Sequence, residues 1–158
     1  MNEAFDYGLL DEIVTKHDCK KSAIIAILQD IQGHYRYLPR EIFPYLSKKI
    51  KISEAGMYSV ATFYENFSLE PKGRHILKVC DGTACHLRKS IPILTRLRAE
   101  LGLEDGQVTT EDLGFTVETV SCLGSCSLAP VLMVDDTVHP AMTPDKATEL
   151  INALKEEM

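Results

Sequence analysis

The cysteines decide which chemistry this chain can do. Four of its five fall in two pairs, Cys80-x4-Cys85 and Cys122-x3-Cys126, separated by 36 residues. Thiolates in two such pairs can surround one soft metal centre, either zinc or an iron–sulfur cluster. Spacing alone leaves both open, because zinc takes four thiolates in pairs about two to four residues apart. The chain has no C-x-x-C, which counts against a thiol–disulfide enzyme. Cys19, the odd cysteine, argues against a complete disulfide framework and has no spacing relation to the pairs. It reads as unligated, near a helix start.

The other chemistry-bearing residues give weaker signals. The five histidines form no i, i+4 metal-binding pair. His86 reads as a positively charged neighbour of the thiolates, with Arg88 and Lys89 beside it, and His17, His34 and His75 read as structural. Glu100, Glu104, Asp105, Glu111 and Asp112 read as solvated charge, not an acid–base pair. Neither G-x-G-x-x-G nor a P-loop is present, so a nucleotide site on this chain is not expected. No residue is assigned a catalytic role.

The segments around the cysteines must bring the pairs together. His75 to Cys80 alternates and is rich in branched residues, as a strand does. The stretch from Ala84 to Leu101 has a helical stripe of Leu87, Ile91, Leu94, Leu97 and Leu101. Pro92 inside it requires the true helix to start near Ser90, with the preceding turn wrapped around Cys85. Phe115 to Cys122 reads as a second strand. Strand, helix and strand make a βαβ unit, so the strands run parallel and end at the same sheet edge. The 36-residue gap then closes in space, and all four sulfurs can meet outside the strand ends. Gly82 and Gly124 allow backbone N–H groups close to an anionic centre. Thr83, Ser121, Ser125 and Ser127 offer hydroxyls, and a helix starting after Cys85 would aim its positive end at the thiolates. Beyond Pro130, VLMV reads as a third strand, turning at Asp135-Asp136-Thr137 into a short fourth. Thr143 caps a last helix with Ala147, Leu150, Ile151 and Leu154 inward.

Residues before Pro71-Lys72-Gly73 are helical. Leu10, Ile13, Val14 and His17 share one face. Ser22 reads as the N-cap of a second helix, with Ile24, Ile27, Leu28, Ile31 and Tyr35 as its stripe, ending at Gly33 and Leu38-Pro39. A third covers Arg40 to Ile50, with Pro44 in its first turn. Ser53 caps a fourth, with Met57, Val60, Ala61 and Tyr64 on one face. Tyr58, Phe63, Tyr64 and Phe67 read as core or interface aromatics, with Phe63 and Phe67 placed in the core. The fold class is therefore α+β: a helical bundle over 1–71, suited to partner docking, then an α/β domain over 72–158 with a mixed four-stranded sheet.

Composition narrows the function classes. A 45% hydrophobic, 25% charged chain of 158 residues builds an ordinary core. A net charge of −6 gives no basic field for a nucleic-acid backbone. No apolar run spans a bilayer, and the N-terminus lacks a signal-peptide pattern. A cytoplasmic protein is expected, with no membrane insertion of its own, free or in a complex on the cytoplasmic side of a membrane. Clustered cysteines there bind metal or do redox work more often than they form disulfides.

VCDGTACHLRKS and VSCLGSCSLAPVLMVDD resemble the two cysteine loops of the thioredoxin-like [2Fe-2S] ferredoxin family. GHYRYLP and VATFYENF are similar to that family's helical segments. The family includes the 24-kDa subunit of respiratory complex I and the small subunits of NAD(P)-linked hydrogenases and formate dehydrogenases; GTACH is closer to the latter two. Lys89 stands where many relatives have glycine. The resemblance implies a thioredoxin-like second domain and one [2Fe-2S] cluster bound by Cys80, Cys85, Cys122 and Cys126. It implies an electron-transfer subunit of an NAD(P)H-linked oxidoreductase complex, with FMN and NAD(P) on a flavoprotein partner and further iron–sulfur subunits beside it. This chain alone then has no substrate site. NAD versus NADP, electron bifurcation, and a quinone, ferredoxin, proton or carbon dioxide acceptor all stay open. The alternative is a zinc-stabilised interaction module of a multisubunit complex.

Overall fold

The computed structural model describes residues 5–157. The chain divides into two compact units, residues 1–71 and 72–158. Each has its own hydrophobic core.

The first unit is all helix: α1 (Tyr7–Lys16), α2 (Ile24–Tyr35), α3 (Phe43–Ile50) and α4 (Glu54–Phe63), with short 3-10 turns at Lys21–Ala23 and Arg40–Ile42. Each helix turns one apolar stripe inward, and Leu10, Val14, Ile27, Leu28, Ile31, Leu46 and Met57 meet in one cluster. Asp6 caps α1 by accepting the Gly8 and Leu9 N–H groups, and Ser53 caps α4 by accepting from Gly56. Ser22 does not cap α2; it lies in the 3-10 turn, and Ala23 is the capping position without a side-chain bond. Gly33 does not end α2 either. The helix runs to Tyr35 and stops where Arg36 turns left-handed at φ 68°. A single glycine weakens a helix without terminating it. Pro44 sits in the first turn of α3, where its missing N–H costs nothing.

The aromatics sort differently from expectation. Phe63 is 79% exposed, because it is the last residue of α4 and lies off the stripe of Met57 and Ala61. Tyr64 is also exposed and meets Phe63 edge to face. Phe67 is half-buried against the core, and Tyr58 packs edge-on to the fully buried Phe43 at 4.5 Å. His17 bonds Asp30 at 2.8 Å and so holds α1 to α2.

The second unit contains β1 (His75–Cys80), α5 (Thr83–Leu87), α6 (Ser90–Glu100), β2 (Phe115–Val120), β3 (Leu132–Val134), β4 (Thr137–His139) and α7 (Pro144–Glu156). The sheet order is β2-β1-β3-β4. β1 and β2 are parallel, in register from His75 opposite Phe115 to Cys80 opposite Val120. β1–β3 and β3–β4 are antiparallel, so the sheet is mixed. Leu77, Val79, Val117, Leu132 and Val134 face Ile93 and Leu97 of α6 and Ala147 and Ile151 of α7. Thr143 caps α7 by accepting from the Lys146 N–H.

The expected stripe of the 84–101 helix is displaced. Leu87 is 77% exposed and Ile91 is 41% exposed, whereas Ser90, Ile93 and Leu97 are buried. The cause is a break. α5 ends at Leu87, Lys89 takes the left-handed conformation at φ 69°, and α6 starts afresh at Ser90 with a new helical phase. Pro92 then falls in the first turn of α6, where it loses no hydrogen bond.

Candidate metal centre

β1 ends at Cys80 and β2 at Val120, directly opposite in the register, with Cys122 two residues beyond. The Asp81 N–H bonds the Val120 carbonyl at 2.9 Å and carries the ladder past the strand end. Cys85 sits in α5 and Cys126 opens a 3-10 turn, Cys126–Leu128. The crossover through α6 thus brings both pairs to one sheet edge.

Cys80 and Cys85 are buried; Cys122 and Cys126 are exposed. The buried pair sits with Ala129 and Val131 in a small apolar cluster, flanked by Ala84, Val120, Leu123 and Val138. That shell keeps water from one side of the centre. Cys80 is a hydrogen-bond neighbour of Cys85 and Cys122, and Cys122 is a neighbour of Cys126. Cys126 also interacts with Cys80 and Cys85, so the four cysteines form one cluster at the sheet edge. No group of three or more His, Cys, Asp or Glu side chains among the described residues is placed to hold a single ion.

Backbone N–H groups point into this cluster. Burial disfavours the Cys80 thiolate, but the Gly82 and Leu123 N–H groups and the neighbouring thiols of Cys85 and Cys122 outweigh it and hold its pKa below the usual thiol value. Burial pushes the Cys85 thiol up, as does Cys80, against one N–H from Val131. The Cys126 thiol is raised by its hydrogen bond and charge interaction with Cys122, then by burial. The Gly124 N–H lies 3.3 Å from the Cys122 sulfur. The Cys85 and Cys126 thiols resist ionising, and a cation beside them would favour their thiolates. A soft metal centre supplies that cation.

Both loop glycines have a structural reason. Gly124 takes φ +77°, the left-handed region. Gly82 has ordinary dihedrals (φ −61°, ψ 158°), but a Cβ there would stand 2.7 Å from the Ser121 carbonyl oxygen. Its small size lets the two cysteine loops touch.

The charged neighbours hold the loops together. Asp81 accepts from Ser90 Oγ at 2.8 Å and pairs with His86 Nδ1 at 2.9 Å, tying the end of β1 to the start of α6. His86 is thus turned to a carboxylate. Ser90, at 1% exposure, is a buried polar residue whose role the sequence did not signal. The expected donors at the sulfurs were backbone N–H groups near Gly82 and Gly124, nearby hydroxyls and the start of α6. Those found are the backbone N–H groups of Gly82, Leu123, Gly124 and Val131. Leu123 and Val131 had no sequence signal beyond their nearness to cysteine and proline. Cys19 is exposed, in a left-handed turn at φ 54° in the first unit. Glu100 pairs with Arg96 on α6, and Asp112 accepts from Thr110 and the Gly114 N–H.

Comparison with known proteins agrees with this geometry. The family model for thioredoxin-like [2Fe-2S] ferredoxins matches residues 10–155. An NADH-quinone oxidoreductase subunit of Rhizobium meliloti (strain 1021) is 32% identical over 146 residues, 92% of this chain and 86% of that protein. The HndA subunit of the NADP-reducing hydrogenase of Solidesulfovibrio fructosivorans is 30% identical over 132 residues, 84% of this chain and 77% of its own. Among solved structures, an air-oxidized NAD+-reducing [NiFe]-hydrogenase shares the fold at a TM-score of 0.72 and 20% identity, over 86% of this chain but only 23% of the hydrogenase chain. The match over nearly the whole sequence and the two cysteine loops at one sheet edge lead to one conclusion: the chain belongs to the thioredoxin-like [2Fe-2S] ferredoxin family.

Proposed function

We propose that Cys80, Cys85, Cys122 and Cys126 bind one [2Fe-2S] cluster and that the chain is an electron-transfer subunit of an NAD(P)-linked, multisubunit oxidoreductase of the NADH dehydrogenase or hydrogenase kind. The observation that carries this is the cluster of four cysteines at one sheet edge with N–H groups of Gly82, Leu123, Gly124 and Val131 directed at it. Two loops that each supply a pair of thiolates suit a centre of two irons, and the match to the [2Fe-2S] ferredoxin family over residues 10–155 favours it over a single zinc ion. When bound, such a cluster supplies one-electron chemistry.

The chain's own residues do the rest. The four cysteines ligate and orient. The backbone N–H groups favour the more negative, reduced charge state. The apolar cluster of Ala129, Val131 and Val138 limits water, while exposed Cys122 and Cys126 leave one side open to a redox partner. The relatives are subunits of an NADH-quinone oxidoreductase and an NADP-reducing hydrogenase by name. By analogy, the partner here is a flavoprotein carrying FMN and the nicotinamide site, with further iron–sulfur subunits, and the first unit is the docking domain. Membership of an electron-bifurcating complex in the cytoplasm is the finer form of the same reading. Among the described residues no helix is long and apolar enough to cross a membrane.

Anaerobic purification with iron, sulfide and zinc analysis tests the assignment. About two irons and two sulfides per chain, with a spin-half EPR signal on reduction, are expected. Stoichiometric zinc without sulfide would refute it. Cys122→Ser loses or strongly alters the signal; Cys19→Ser leaves it unchanged. Co-purification of the native complex identifies the partner subunits.

A further inference from the structure

A three-point seam joins the first cysteine loop to the segment just after the second. The Arg88 guanidinium donates from Nη1 to the Ala129 carbonyl at 2.9 Å. The Cys80 N–H donates to the Val131 carbonyl at 3.2 Å. The Val131 N–H in turn points at the Cys85 sulfur. Arg88 supplies the one side chain in this seam, and it bridges 41 residues of sequence. Ala129 and Val131 are 5% and 2% exposed. A buried carbonyl that loses its donor is costly, so the segment would shift toward water if Arg88 were removed. That shift would draw the Val131 N–H away from Cys85.

We infer that Arg88 is a positioning residue: by bonding Ala129 it holds the Val131 N–H on Cys85 and, with its own fixed positive charge, raises the reduction potential of the centre between the loops. This rests on the cluster assignment above. Reduction adds one electron, and so one negative charge, to the centre. A guanidinium anchored on the Ala129 carbonyl, three residues after Cys126, and an N–H directed at sulfur both stabilise that charge. Neither influence needs Arg88 to touch a ligating sulfur. Arg88 also receives ordering from its own backbone, since its N–H bonds the carbonyls of Ala84 and Cys85 at the end of α5. The side chain therefore springs from a fixed point in the first loop and ends on the second. Asp81, His86 and Ser90 form the corresponding clamp within the first loop, but they do not reach the second.

The test compares Arg88→Met, Arg88→Lys and a control, Arg96→Met, whose arginine bonds Thr148 and Glu100 on the α6–α7 surface. Dithionite titration followed by EPR gives the midpoint potential of each. Arg88→Met is expected to lower electron affinity about tenfold, which is about 59 mV for a one-electron couple. Arg88→Lys, which keeps the charge without the forked reach, falls between, and Arg96→Met matches wild type. A fully loaded Arg88→Met protein with the wild-type midpoint overturns the inference. If that variant does not load, amide hydrogen exchange at Val131 in the metal-free protein decides. Exchange about tenfold faster than wild type, on the scale of one lost hydrogen bond, supports the seam, and an unchanged rate overturns it. Wild-type protein lacking sulfide and the EPR signal refutes the cluster assignment instead, and the Val131 rate still reports on the seam.

Discussion

Replacing Gly82 by alanine isolates the contact between the cysteine loops. The new Cβ would lie 2.7 Å from the Ser121 carbonyl oxygen and 3.6 Å from the Cys122 Cβ. Ordinary contact requires the loops to part by roughly half an ångström or more. Overpacking of this kind costs about 1–3 kcal/mol. Gly82 has φ −61°, which alanine adopts freely, so no backbone strain is added. Alanine also restricts the unfolded chain, which offsets about 0.4–1 kcal/mol. The steric cost wins, leaving a net loss of about 1–2 kcal/mol. For a unit of this size that lowers the melting temperature by roughly 5–15 °C. Because Gly82 donates to the Cys80 sulfur, iron and sulfide content should fall as well. Gly33→Ala is the internal control. It lies in α2 with nothing within 4 Å of an added Cβ, so the same substitution should stabilise by about 0.5–1 kcal/mol. Thermal and urea unfolding of the metal-free protein, with cluster content measured separately, reads both. A Gly82→Ala protein within about 0.5 kcal/mol of wild type and with full iron content would refute the argument.

Three further outcomes follow from other parts of the molecule. Phe43→Ala should cost about 3–5 kcal/mol in the first unit, whereas Phe63→Ala, at 79% exposure, should stay within about 0.5 kcal/mol; urea titration followed by far-UV circular dichroism compares them. Thr143→Ala removes the side-chain acceptor for the Lys146 N–H at the start of α7 and should cost about 1 kcal/mol, with Thr143→Ser close to neutral in the same titration. Asp30 is hydrogen-bonded to Lys16 and then to His17, which hold its carboxyl below 3.8. A depressed folded pKa gives stability that is present above 3.8 and lost as pH falls through the folded value. Asp30→Asn should therefore be less stable at neutral pH and converge with wild type in acid, as read by unfolding curves between pH 2 and 7.

The sequence by itself determined the elements and the ligand candidates. Period-two alternation at His75–Cys80 and a second strand read over Phe115 to Cys122, with a helical stretch between, require a parallel pair, although β2 itself stops at Val120. Parallel strands end at one edge, so the meeting of Cys80, Cys85 and the Cys122 loop was legible without coordinates. The caps at Ser53 and Thr143 were legible because an N-cap is a local side-chain-to-backbone bond. Pro92 likewise announced the restart of the helix at Ser90, since proline belongs in a first turn.

Tertiary structure decided whatever depends on phase or on a distant partner. Lys89 at φ 69° resets the helix, so Leu87 and Ile91 face outward and Ser90 turns inward to Asp81. Periodicity cannot reveal such a reset, because it assumes one continuous helix. Phe63 is exposed because α4 ends there, and a stripe read from residue types does not locate an end to the residue. The donors on sulfur came from backbone N–H groups of Leu123 and Val131, which every non-proline residue carries and no sequence motif marks. Arg88 and Ala129 meet only after the β1 and β2 loops have closed on each other. The thiols could be read from spacing; the hydrogen bonds that tune them exist only in the folded chain.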